Sequence, residues 1–230
     1  ARLGKSPWMV VEADESDGTF VRLPTRIGIV TNVDPEHLDY FGTVDEMHKA
    51  YRAFYRNIPF YGLAMTCIDH PVARAMVEDL GLRRDGRRLL TYGFDPTADI
   101  VLTRVEVDGA TTVFDATLGA RVAGGARELK DWTVPVPGAH NALNALAAIG
   151  VAAEAGIKDE AIRGAMASFT GVKRRFQPTG TWNGARIYDD YGHHPVEIAA
   201  VLAAARAGAK ARVIAIVEPH RYTRVQSLFA

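Results

Sequence analysis

The sequence predicts an α/β fold: a mainly parallel central sheet with an antiparallel hairpin added to it, then the start of a second strand–helix–strand unit. Three observations carry this. Short, continuous apolar runs recur, as in Trp8-Met9-Val10-Val11 and Ile27-Gly28-Ile29-Val30, and unbroken runs mark strands covered on both faces of a parallel sheet. Helical patterns follow such runs. From residue 101 the pattern changes to strict alternation across the turn pair Asp108-Gly109, which marks a hairpin.

In chain order, the first two runs each end in polar residues: Glu12-Ala13-Asp14-Glu15-Ser16-Asp17, then Thr31-Asn32-Val33-Asp34. A helix is expected from Thr43, because Thr43 and Glu46 have capping-box spacing. Met47, Tyr51, Phe54 and Tyr55 recur on one of its faces. Residues 63–68 read as a strand, and a helix from about Pro71 to Leu80 is stopped by Gly81. The hairpin uses residues 101–107 and 111–118, with a third strand ending near 132–136. Pro137-Gly138-Ala139-His140-Asn141 turns into a helix over 142–155 that Gly156 ends, and a shorter helix covers 159–169. Gln177-Pro178-Thr179-Gly180 reads as a turn. Beyond it come an apolar strand at 185–188, an Ala-rich helix over about 196–207 and a strand at 212–217. A domain boundary falls near residues 172–178, dividing the chain into 1–174 and 175–230.

With 230 residues, 48% of them hydrophobic, the chain holds one large domain or two small ones with a real core. Its 27 basic and 27 acidic residues cancel, so no global field recruits nucleic acid or an anionic membrane surface. The single cysteine, Cys67, excludes an internal disulfide framework and reads as a small buried hydrophobe. No apolar run approaches the ~20 residues of a membrane span, and no signal peptide is visible, so a cytosolic protein is expected. Both ends have the look of cuts through a larger protein.

The densest chemistry is Tyr188-Asp189-Asp190-Tyr191-Gly192-His193-His194-Pro195, at the junction of the 185–188 strand and its helix. In open α/β sheets ligands bind at the carboxyl ends of strands. Glu218-Pro219-His220-Arg221-Tyr222-Thr223-Arg224 ends the next expected strand, so one crevice would collect carboxylates, imidazoles and guanidinium groups. That inventory suits an enzyme handling anions. Two acidic clusters, residues 12–17 and Asp34-Pro35-Glu36-His37-Leu38-Asp39, follow the first strands. Each reads as a solvated turn or, together, as a divalent-metal site. His140, Asn141 and Asn144 begin a helix, where Asn141 suits the N-cap or the three hold a purine edge. Lys173-Arg174-Arg175 reads as surface charge or as a phosphate clamp at the hinge. No GxxxxGK[ST] loop is present, and Gly124-Gly125 lacks the Lys-Ser/Thr that would follow.

Six motifs in this order resemble the Mur ligases. They lie at residues 12–20, 30–39, 136–144, 169–177, 189–195 and 219–224, and are most similar to the members that add L-alanine to UDP-N-acetylmuramate. The resemblance implies a central ATP-binding domain from just after its phosphate loop (1–174). It also implies the first part of a C-terminal, amino-acid-binding, Rossmann-like domain (175–230). The UDP-sugar domain, the phosphate-loop strand and the last portion would lie outside the chain.

The resemblance further implies ATP and Mg²⁺ as cofactors, with Glu12 and His37 as magnesium ligands. His140, Asn141 and Asn144 would border adenine, and Arg174, Arg175 and Asp190 would hold the nucleotide from the C-terminal side. Tyr191, His193, His220, Arg221 and Arg224 would form the pocket for L-alanine and the acyl-phosphate, with His193 as the base. Glu218 departs from the family, which often has Gln there. On this reading the isolated chain is inactive and its cut edge invites self-association. Three alternatives remain open: a related ligase that attaches a recycled murein tripeptide, a non-catalytic scaffold module, and a His/Asp metallohydrolase.

Overall fold

The computed structural model describes residues 3–218. Strands β1 (Ile27–Val30), β2 (Leu63–Cys67), β3 (Arg88–Gly93) and β4 (Ile100–Asp108) pair in parallel, in sequence order. β5 (Thr111–Leu118) and β6 (Arg127–Val134) extend the same sheet antiparallel. The expected mixed sheet is therefore what forms, and Gly109, at φ +61°, closes the hairpin.

Both faces are covered, which is why β2 is buried at all five positions. Leu63, Met65 and Cys67 join Leu90, Ile100, Phe114 and Leu146 in one core beneath α4 (Ala139–Glu154) and α5 (Asp159–Ala167). Ala64, pointing the other way, joins Phe54, Tyr55, Met76 and Val77 of α2 (Val44–Asn57) and α3 (Pro71–Leu80). Cys67 is buried, as expected. Two-residue alternation along one strand thus feeds two cores. Helix starts follow local chemistry: the Thr43 side chain accepts from the Glu46 N–H at 3.2 Å, and Gly81 ends α3 at φ +60°.

At the carboxyl ends of β2 and β3, Asp69 accepts the N–H groups of Phe94 (2.8 and 2.9 Å) and Asp95 (3.0 Å). Gly93 makes this possible. Its φ is +155°, and a Cβ there would collide with the Asp69 carboxylate. Below β3, buried Asp99 accepts from the Thr91 N–H (2.8 Å) and hydroxyl (2.9 Å) and pairs with Arg83 and Arg121.

After residue 174 the chain forms a two-stranded antiparallel ribbon, β7 (Gln177–Trp182) with β8 (Ala185–Asp189), followed by α6 (Pro195–Ala207). Arg174 and Phe176, entering the ribbon, have left-handed φ values of +58° and +48°. None of the helices among the described residues is long and apolar enough to cross a membrane.

Several expectations need correction. Residues 8–11 form no strand: they belong to no helix or sheet, with Met9 and Val10 85% and 96% exposed. Residues 212–217 form none either, with Ile216 96% exposed. An apolar run signals a need for burial but names no ladder partner, and neither run has one among the described residues. Residues 177–180 are not a turn. They belong to β7, where Pro178 is tolerated because this ribbon has only edges. α4 begins at Ala139 with Gly138 as its N-cap, so Asn141 does not cap it. Instead its side-chain amide donates to the Pro137 carbonyl at 2.8 Å. β3 carries no clear strand signal, because arginines 83, 84, 87 and 88 crowd a Leu89-Leu90 pair that Thr91 interrupts.

Candidate functional site

The two acidic clusters meet, though not by strand pairing. Gly18, at φ +68°, turns the first segment into a short 3₁₀ helix (Thr19–Arg22). Phe20 then buries against Tyr51 and Phe54 of α2, with ring centroids 5.3 and 5.6 Å apart. This anchor sets Glu15 beside the β1 loop. There His37, at φ +54°, starts the single-turn helix α1 (Leu38–Phe41). Its Nε2 lies 3.7 Å from Glu15 Oε1 and 3.9 Å from Glu36 Oε1. One ligand atom from each of Glu15, Glu36 and His37 lies within 4.8 Å of the others.

The residues fit a cation. For metal–ligand bonds of about 2.1 Å, neighbouring and opposite ligands in an octahedron stand about 3.0 and 4.2 Å apart. The observed 3.7 and 3.9 Å are within a short side-chain rotation of the adjacent spacing. Two carboxylates and one imidazole suit Mg²⁺ or Mn²⁺. The Glu15 carboxyl is pushed up mainly by burial, against the pull of its own backbone N–H and of His37. The Tyr51 phenol is raised by burial and then by Glu15, Glu36 and Asp34, so it stays protonated facing this negative field.

The second unit reaches the same place. His193 Nδ1 lies 2.8 Å from the Tyr191 carbonyl. A carbonyl only accepts, so the Nδ1 carries the proton. The opposite nitrogen, Nε2, stands 3.5 Å from Glu36 Oε1. The loop is held by Glu197, which accepts the N–H groups of His193 (3.2 Å) and His194 (3.3 Å). Burial alone would raise Glu197, but those two donors and Arg175 outweigh it and lower it. His194 caps α6 through Nδ1, and its buried Nε2 has no hydrogen-bond partner among the described residues.

Asp190 accepts from the Phe176 N–H and the Gly192 N–H, both at 2.7 Å. Arg174 lies over the Tyr191 ring at 4.6 Å and 3.5 Å from Asp189, while Arg175 pairs with Glu197 at 3.4 Å. His140, in the first turn of α4, is lowered by burial, raised by Asp190 and lowered by Arg175, so these three groups share one field. Asn141 is half-buried beside it and Asn144 is exposed.

Of the residues singled out in the sequence, the structure gathers His37 and His193 at the carboxylates and sets His140 near Asp190 and Arg175. Glu12 is exposed and outside the three-residue cluster. His220, Arg221 and Arg224 lie outside the described residues. Glu15 and Glu36 were not singled out, although both sit inside the acidic runs. What the sequence lacked was the Phe20 anchor, which decides which carboxylate of residues 12–17 turns inward.

Residues 6–152 match the Mur ligase middle domain, and residues 174–228 match the family described as Mur ligase, glutamate ligase domain. All of the chain aligns with UDP-N-acetylmuramate–L-alanine ligases from Bradyrhizobium sp. (strain BTAi1) at 58% identity and from Rhodopseudomonas palustris (strain BisB18) at 57%. It covers 48% of each, so the chain spans about half the length of the curated relatives it matches. Among solved structures, a UDP-N-acetylmuramate–alanine ligase from Thermotoga maritima superposes with a TM-score of 0.67 at 24% identity, over 85% of this chain and 41% of that one. MurF from Acinetobacter baumannii gives 0.65 at 22%, over 80% and 38%. These two similarities concern the fold.

Proposed function

The chain belongs to the Mur ligase family, and on that premise we propose that it is the ATP- and amino-acid-handling portion of a UDP-N-acetylmuramate–L-alanine ligase of the cytoplasm. The observation that carries the reading is the meeting of Glu15, Glu36 and His37 within 4.8 Å, with His193 of the second unit 3.5 Å from Glu36. The division into a nucleotide unit (1–174) and an amino-acid unit (175–230) belongs to the same proposal.

The reaction joins a carboxylate to an amine by way of an acyl-phosphate made from ATP. Both partners of its first step are anions, so positive charge must offset their repulsion. Mg²⁺, when bound, supplies that charge and orients the phosphate oxygens. His37 would hold it, with Glu12 as the family motif implies and with Glu15 and Glu36, which support the site by their approach to His37. His140, Asn141 and Asn144 border the adenine. Arg175 and Asp190 hold the nucleotide from the second unit, with Arg174 beside them at the boundary.

In the second step the alanine amine attacks the acyl carbon, and the bond from that carbon to the phosphate oxygen breaks to release inorganic phosphate. The amine's proton must pass to a base. His193 takes it at Nε2, because Nδ1 already carries a proton towards the Tyr191 carbonyl. Glu36 Oε1, 3.5 Å away, then faces the newly protonated nitrogen. Tyr191 packs edge-on against His193 with centroids 5.1 Å apart and fixes the ring plane. His220, Arg221 and Arg224 complete the pocket around the amino-acid carboxylate and the transferred phosphate.

The test is ADP release by the full-length protein, with UDP-N-acetylmuramate and with L-alanine or murein tripeptide as acceptor. L-Alanine-dependent release that falls about 100-fold or more in His193→Ala is expected. Release that depends on the tripeptide, or none at all, overturns the reading. The 230-residue chain alone is expected to form no amide, because no GxxxxGK[ST] loop is present to cradle the phosphates.

A further inference from the structure

The connection between β2 and α3 contributes a side chain to the cation cluster's surroundings that the reaction scheme does not use. His70 is the N-cap of α3: its Nδ1 accepts the Ala73 N–H at 3.4 Å. That nitrogen carries no proton, so in the neutral ring the proton sits on Nε2. Nε2 lies 3.2 Å from Asp34 Oδ1 and donates to it. The other oxygen of Asp34 accepts the Asn32 side-chain amide at 2.8 Å, and Asn32 Oδ1 in turn accepts from the Thr31 hydroxyl at 3.0 Å. Both Asp34 oxygens are therefore held, and only one of the two restraints comes from outside the loop.

That loop runs from β1 to α1 and carries Glu36 and His37. Its backbone is left-handed at His37. Asn32 and Thr31 move with it, so they cannot fix its place. His70 belongs to a different connection, set by β2 in the middle of the parallel strands and by a helix cap. Loss of the outer-shell hydrogen bonds that hold metal-binding groups in place typically lowers metal affinity about 10–100-fold.

We propose that His70 is a positioning residue for the Glu15–Glu36–His37 cation site, tethering the ligand-bearing loop to the sheet through Asp34. The proposal rests on the cation reading of that cluster. Its chemistry separates into two atoms: Nδ1 serves the helix and Nε2 serves the loop. His70→Asn retains a capping acceptor but is too short to reach Asp34. His70→Gln places a donor near the position of Nε2 and gives up the cap.

The experiment titrates Mn²⁺ into the 230-residue chain and its variants by electron paramagnetic resonance, alongside thermal melts. For His70→Asn we expect a Tm close to that of the parent and Mn²⁺ affinity about tenfold lower or more. His70→Gln is expected to bind Mn²⁺ within about threefold of the parent, although its melting point drops by a few degrees with the lost cap. Unchanged affinity in His70→Asn overturns the proposal while leaving the cation site standing. Loss in both variants in proportion to their melting points also overturns it, since stability would then explain the effect. Absence of saturable Mn²⁺ binding by the parent chain removes the cation site itself, and the proposal with it.

Discussion

His193 Nε2 stands 3.5 Å from Glu36 Oε1, so an imidazole from the second unit meets a carboxylate from the loop that follows β1. The two residues are 157 positions apart in sequence, and their approach brings the second unit up to the cation cluster of the first.

Glu36→Gln keeps the shape of that contact and removes its charge. Mn²⁺ affinity should fall about tenfold or more, because one anionic ligand is lost. His193→Ala should leave affinity within about threefold, since the imidazole faces the carboxylate without being needed to bind the ion. Isothermal titration of both variants checks this. Equal losses would make His193 a ligand and end its assignment as the base.

His140 gives the fold a pH dependence of known sign. Burial lowers its pKa below the ordinary 6.5, with Asp190 pulling up and Arg175 pushing down. The unfolded chain therefore binds the proton more readily, and stability rises with pH across the interval between the folded value and 6.5. Stability is complete above that interval and declines as pH falls through it. Tm measured from about pH 7.5 to 5 should show this decline, and His140→Gln should flatten that part of the curve.

Gly93→Ala should destabilise by about 2 kcal/mol, because the added methyl meets the Asp69 carboxylate at a backbone angle that side chains avoid. Urea unfolding measures it. In an Asp69→Ala background the same change should cost clearly less, since the collision is gone. Equal costs in both backgrounds would assign the whole effect to φ.

Tyr92→Phe should be neutral or stabilising by about 1 kcal/mol. The Tyr92 hydroxyl is buried with no hydrogen-bond partner among the described residues, and an unsatisfied buried polar group carries a desolvation cost. The ring itself stays in the core. A loss of more than about 1 kcal/mol in thermal or urea unfolding would show that the hydroxyl has a partner after all.

Local patterns carried most of the architecture. Thr43 with Glu46, Gly81 and Asp108-Gly109 act within a few residues, and each does what its chemistry says. Strand pairing is different, because it depends on what lies alongside. Residues 8–11 and 212–217 have the composition of strands without a neighbour to bond to, whereas Gln177 to Trp182 pairs despite containing Pro178. The site divides in the same way. His37, His140, Asp190 and His193 stood out by residue type. Glu15 gained its place beside Glu36 and His37 through the packing of Phe20 on α2, a contact no spacing rule announces.

The backbone leading into the ribbon is wound against its natural hand at Arg174 and Phe176. Three hydrogen bonds keep it so: Arg174 N–H to Gln177 Oε1 at 2.8 Å, Phe176 N–H to Asp190 at 2.7 Å, and Tyr191 N–H to the Arg174 carbonyl at 2.7 Å. Each left-handed residue holds about 1–2 kcal/mol of torsional energy. The joint is thus a cocked latch rather than a loose tether, with Asp190 as its catch. Whatever draws Asp190 away from Phe176 also removes one of the three bonds that hold the joint wound, so the geometry of the entry to the ribbon hangs on that single carboxylate.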